Sequence, residues 1–147
     1  MAVNNVQLAT EFYIAYFNRA PDPVGLNVWV NALNNGVPPA TVAANFANSA
    51  EAKALYPFLA LTIAPDPATA AGFVNAVYNN LLNRAPDAAG SAYWTNLLDT
   101  GGITVGQFIL DVVQSVNNQT GTADAATLAA KVTVADFFNT GPVSVAP

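Results

Sequence analysis

"NRAPDPVGLNVW", Asn18–Trp29, returns sixty-five residues later as "NRAPDAAGSAYW", Asn83–Trp94. Each copy interrupts a helical pattern in the same place. Leu8, Phe12, Ile14, Tyr16 and Phe17 approach the first copy on a mostly i, i+4 course. Phe73, Val74, Val77, Tyr78, Leu81 and Leu82 approach the second. After each copy a second short helix is expected. Leu26, Trp29, Val30 and Leu33 mark one that ends near Gly36, and Tyr93, Trp94, Leu97 and Leu98 mark one that ends near Gly101. A third helix follows in each half, weak through Val42, Ala43 and Phe46. The other carries a wide apolar stripe through Val105, Phe108, Ile109, Val112, Val113 and Val116. One extra residue at Gly102 lengthens the offset between the halves by one.

The expected fold is therefore all-α: two tandem three-helix repeats plus connecting and C-terminal helices, packed as one domain over 1–140. Repeat one covers about 5–55, a link 56–68, repeat two about 69–118, and a last helix about 122–139. Ser49 is placed to cap a connecting helix that Pro57 should kink or end. Residues 140–147, "TGPVSVAP", have linker composition and are expected to lead into a downstream region.

The phrase has a physical reading of its own. Pro21 and Pro86 stop the incoming helix, and Asp22 and Asp87 stand as N-caps of the next, each stabilising by about 1 kcal/mol. Gly25 and Gly90 fall at the third helical position, where glycine costs about 1 kcal/mol against alanine, so a close backbone or aromatic approach is expected there. Arg19 and Arg84 lie within reach of those aspartates or of the carbonyls ending the first helix. Trp29 and Trp94 should pack back across the corner. A helix–corner–helix device and a site assembled at the two corners both fit this pattern.

Composition narrows the chemistry. The 147-residue chain is more than half apolar, enough to bury a core, and has neither cysteine nor histidine. Thiol nucleophiles, disulfides, cysteine-ligated zinc and the commonest general base are thereby excluded. The nine carboxylates are spread along the chain without a helically spaced pair, so the expectation is no enzyme activity. Four scattered cations, Arg19, Lys53, Arg84 and Lys131, against a net charge of −5 give no basic stripe for nucleic acid. "DPVG" and "DAAG" supply one carboxylate each where a calcium loop alternates several oxygen ligands, so no metal or other cofactor is expected, and calcium is not favoured. No stretch reaches eighteen uninterrupted apolar residues, and "MAVNNVQLATEF" lacks the charged and apolar regions of a secretory signal peptide. No membrane insertion is expected.

"FNRAPDPVGLNVWVNALNNG", followed by "VAANFANSAEAK", resembles the repeat of a helical domain family of uncharacterised function found in large bacterial secreted proteins, including S-layer proteins and RTX-type adhesins. The family's wording is a tyrosine-rich helix, then NRAPDxxGxxYW, a helix and glycine, and an apolar helix ending in S-x-E. The first copy matches through Lys53. The second matches through about Ser115 but has "SVNNQ" in place of the acidic ending. The chain is further similar to the N-terminal anchoring domains of Gram-negative S-layer proteins, which leave the cell by type I secretion without a signal peptide and bind the O-antigen of lipopolysaccharide.

That resemblance implies an extracellular, non-enzymatic anchoring domain at the cell surface of a Gram-negative bacterium. Its implied partners are the lipopolysaccharide O-antigen or another surface polysaccharide, and a downstream S-layer or RTX-type region of the same protein. If sugar rings stack at the corners, the expected glycan-binding residues are Trp29 with Asn27 and Asn31, and Tyr93 and Trp94 with Asn96. Arg19 and Arg84 would donate to hydroxyls. The acidic balance favours a neutral or amino-sugar glycan, or one bridged by divalent cations. The rival readings are a protein–protein assembly module of a surface lattice or adhesin, and an accessory domain of a secreted enzyme. An exposed aromatic beside amides in a concave surface would favour the glycan, and a flat apolar patch would favour assembly.

Overall fold

Side-chain caps set the helix starts in a computed structural model that describes residues 4–60 and 67–140. Asn4, Asp22, Ser49, Asp87, Thr104 and Thr122 each accept a hydrogen bond from the backbone N–H three residues on, at 2.7–3.2 Å. The first half holds α1 (Asn5–Phe17), α2 (Pro23–Asn34), α3 (Pro39–Ala47) and α4 (Ala50–Leu55). After the short α5 (Pro57–Ala60) come α6 (Pro67–Leu82), α7 (Ala88–Thr100), α8 (Val105–Asn118) and α9 (Ala123–Thr140). The protein is all-α over the described residues. Pro57 does end α4, and it opens α5 at its first position. The expected linker at 141–147 and the centre of the link, 61–66, lie outside the described residues.

Every residue of α1 from Leu8 to Tyr16 is buried, so this helix is apolar nearly all round and forms the axis of the core. Phe12, Tyr16, Phe73 and Phe108 are each at most 2% exposed, and burying a side chain of this size stabilises by roughly 1.5–3 kcal/mol. Phe46 of α3 gathers the first half's rings: Phe12, Tyr13, Tyr16, Phe17 and Trp29 all lie within 4.8–6.1 Å between centroids.

The two halves meet through equivalent residues. Asn80 donates its side-chain amide to the carbonyl of its own counterpart, Ala15, at 2.9 Å. Where α3 crosses α8, a Cβ on Gly106 would strike the carbonyl of Ala40, its counterpart, and lie 2.9 Å from the Ala44 nitrogen. Like meeting like in this way is what an approximate two-fold relation produces. Glycine at 106 is what lets the two backbones approach.

The end of α1 illustrates how the junction satisfies its polar groups. The Ile14 carbonyl accepts from the Asn18 N–H at 2.9 Å, the Ala15 carbonyl from Asn80, and the Tyr16 carbonyl from the Tyr56 hydroxyl. The matching end of α6 cannot be closed in the same way, because Ala15 has no amide to return. There the Asn80 carbonyl accepts from the Lys131 ammonium, reaching in from α9.

Candidate functional site

The repeated phrase builds the same corner twice. Asn18 and Asn83 each end a helix in the left-handed conformation, with φ of 51° and 58°. Asparagine tolerates that region better than other residues with a side chain. Arg19 then donates to Glu51 through two nitrogens at 3.0 and 3.3 Å, donates to the Ala20 carbonyl, and lies over the Tyr13 and Phe17 rings. Arg84 repeats this with Asp124 at 2.7 and 2.9 Å, the Ala85 carbonyl and the Tyr78 ring. The Trp94 indole N–H donates to the Tyr78 hydroxyl at 3.1 Å, and their counterparts Trp29 and Tyr13 both pack against Phe46. Both tyrosines are pushed above their ordinary pKa, chiefly by burial.

Two expectations change here. The arginines do not serve the capping aspartates; each ties its corner to an acid at the start of the fourth helix of its own half, Glu51 on α4 and Asp124 on α9. Nor has the second half lost the acidic ending. Thr122-Ala123-Asp124 takes the place of Ser49-Ala50-Glu51, down to the hydroxyl that donates to the carbonyl three residues back at 2.8 Å in both. It sits further along because α8 has 14 residues to α3's 9, and a longer turn follows it. Each three-helix unit is thus completed by a fourth helix, α4 in one half and α9 in the other.

The two corners converge on a groove of about 510 Å³ beneath α9. Asn18 and Asn83, the equivalent left-handed residues, both line it, together with Arg19 and Lys131. Its apolar surface comes from Ile14, Val134, Ala135 and Phe138. Phe138 is 55% exposed, an aromatic ring beside amides and cations in a concavity. Lys131 donates to the Asn18 side-chain oxygen at 3.3 Å and to the Asn80 carbonyl, and burial holds its ammonium below the ordinary lysine pKa. Among the described residues no carboxylate lines the groove.

The family described as "Domain of unknown function (DUF4214)" matches residues 2–56 and again residues 65–122. The protein is a member of the DUF4214 family. The first match runs through α4 and the second stops at Thr122, the cap of α9. No curated protein and no solved structure matches the chain.

The residues expected to hold sugar in this DUF4214 chain do not come together. Arg19 lines the groove, whereas Arg84 and Trp94 line a separate cleft of about 130 Å³ with Tyr78, Gln119 and Asp124. In the second half, which holds that cleft, Leu82 and Val112 stand where the first half has Phe17 and Phe46. Trp29 is half-buried against Phe46. Tyr93 is 59% exposed and packs edge-on against Trp94 at 4.9 Å. Asn27, Asn31 and Asn96 are exposed on α2 and α7 and line neither concavity. Gly25 meets its expected aromatic, the Tyr13 hydroxyl, but a Cβ at Gly90 would meet no ring: its nearest neighbours would be the capping Asp87, at 3.2 Å, and Pro86.

The sequence reading passed over Asn18, Asn83, Lys131 and Phe138. The available signal was the first letter of the repeated phrase, since an asparagine that ends a helix twice marks two matched left-handed corners. It also passed over Glu11, a fully buried carboxyl held by neutral donors alone: Asn117 at 3.0 and 3.2 Å and Gln7 at 3.2 Å. Burial raises its pKa to about 7, against the opposing pull of those hydrogen bonds. Among the described residues no three His, Cys, Asp or Glu side chains cluster to hold a metal, and no helix is long and apolar enough to cross a membrane.

Proposed function

We propose that this DUF4214 chain is a non-enzymatic anchoring module of an S-layer or related type I secreted protein. It acts at the surface of a Gram-negative cell and binds the O-antigen glycan of lipopolysaccharide in the groove between the two corners. The observation that carries this reading is the groove's make-up: an exposed Phe138 and an apolar wall beside two asparagine amides and two cations. Sugar rings present apolar faces edged with hydroxyls. An aromatic face takes the former, and an amide, with two donors and an acceptor, takes the latter. The likeness of the repeat to those of S-layer proteins supplies the biological setting.

The test is retention of the protein on lipopolysaccharide with and without its O-antigen. Retention only with O-antigen is expected, and the double variant Asn18→Gly, Asn83→Gly should lose it. Glycine keeps the left-handed backbone while removing both amides, so the melting temperature should stay nearly unchanged. Equal retention on both lipopolysaccharides would defeat the reading. The assembly alternative is favoured by one observation, the exposed Val134, Phe137 and Phe138 on α9. It requires concentration-dependent oligomers in light scattering that Phe137→Ser disperses.

A further inference from the structure

The groove runs against the charge of the rest of the chain. Nine acidic residues face four basic ones overall, yet two of those four, Arg19 and Lys131, line this one concavity and, among the described residues, no carboxylate does. The two cations are not equivalent. Arg19 already carries the Glu51 carboxylate on two of its nitrogens, so its charge is compensated. Lys131 has three N–H donors and meets two acceptors, both neutral: the Asn18 side-chain oxygen and the Asn80 carbonyl. No carboxylate lies within ion-pair distance of it among the described residues.

We propose that the groove selects a monoanionic sugar, a uronic-acid unit of the glycan, whose carboxylate sits on the Lys131 ammonium while the Asn18 and Asn83 amides take the neighbouring hydroxyls. This deepens the glycan-binding reading and rests on it. One uncompensated ammonium matches one carboxylate rather than a dianionic phosphate. A partly desolvated charge with no counter-ion among the described residues also gains most from acquiring one, and the lowered pKa of Lys131 reports that desolvation. The net charge of −5 does not prevent this, because charges farther off than about 8–10 Å are screened at physiological salt, whereas a contact inside a groove is not.

The structural role of Lys131, closing the end of α6, makes no distinction between sugars, so the test compares sugars. Methyl glucuronoside and methyl galacturonoside are titrated against the matching neutral methyl glucoside and galactoside. The side-chain amide signals of Asn18 and Asn83 and the ammonium signal of Lys131 are followed by NMR. The uronosides are expected to bind saturably and at least tenfold more tightly than the hexosides, and to raise the pH at which Lys131 titrates. Lys131→Gln should erase the tenfold preference and Lys131→Arg should keep most of it. Equal or stronger binding of the neutral hexosides at the same signals overturns the acidic-sugar inference and leaves the glycan reading standing. If none of the four sugars moves any groove signal, both fall.

Discussion

Replacing Glu11 with glutamine keeps the size and one acceptor oxygen of a side chain that is fully buried, puts an amide nitrogen in place of the other oxygen, and removes its ability to ionise. In the unfolded chain this carboxyl releases its proton near its ordinary value of 4.5, and in the folded chain it holds it to about 7. Between those values the folded state binds more protons, so raising the pH withdraws stability. The group's contribution is intact below the unfolded pKa and is lost as pH climbs through the folded one. At about 1.4 kcal/mol per pKa unit the loss above pH 7 amounts to about 3 kcal/mol, worth roughly 10 °C in a domain of this size. Glu11→Gln should therefore match the wild type near pH 4.5 and exceed it by about that amount at pH 8. The measurement is urea or thermal unfolding of both proteins from pH 4.5 to 8.5. A difference that stays constant with pH, or a wild type that gains on the variant as pH rises, would refute the reasoning from burial.

Asp87→Ala removes the bond to the Gly90 N–H and should cost about 1 kcal/mol in urea unfolding while leaving glycan retention unchanged; Asp22→Ala should do the same through Gly25. The repeated glycines should part company under substitution. Gly25→Ala drives a methyl into the Tyr13 hydroxyl and should destabilise by roughly 1–3 kcal/mol, whereas Gly90→Ala should come out near neutral in the same assay, since helix propensity offsets a tight contact with Asp87. Gly106→Val should be worse than either, because the obstacle is the backbone of α3, and is best read as a loss of melting temperature. Melting curves in EDTA and in millimolar calcium should coincide, and a large calcium-dependent rise would reveal a site that binds only the folded chain.

The helical architecture was legible because its determinants are local. Prolines stop helices, aspartate and serine start them, and the apolar period of α6 and α8 survives in plain sight. α1 was harder to read by period, since a helix buried on every side has no polar face to contrast with. The displaced Thr122-Ala123-Asp124 was hidden by the longer α8, which moved the motif out of register without changing its chemistry. The groove was the least legible feature. Asn18 and Asn83 are read locally as helix ends, and only the two-fold meeting of the halves brings them together under Lys131, which lies over a hundred residues from Asn18. Trp29 and Trp94 attracted attention as sugar platforms because of their residue type, yet each is half-buried and packs on another ring, Phe46 or Phe108.

The central claim is that the two corners make one glycan site between them. An amide NMR titration of the labelled protein with purified O-polysaccharide tests it directly. Saturable shifts should centre on Asn18, Asn83, Lys131 and Phe138, residues from both halves and from α9 responding with one dissociation constant. Shifts confined to Asn27 and Asn31 on α2, or to Tyr93 and Asn96 on α7, with the groove silent, would contradict it and return the paired asparagines to architecture alone.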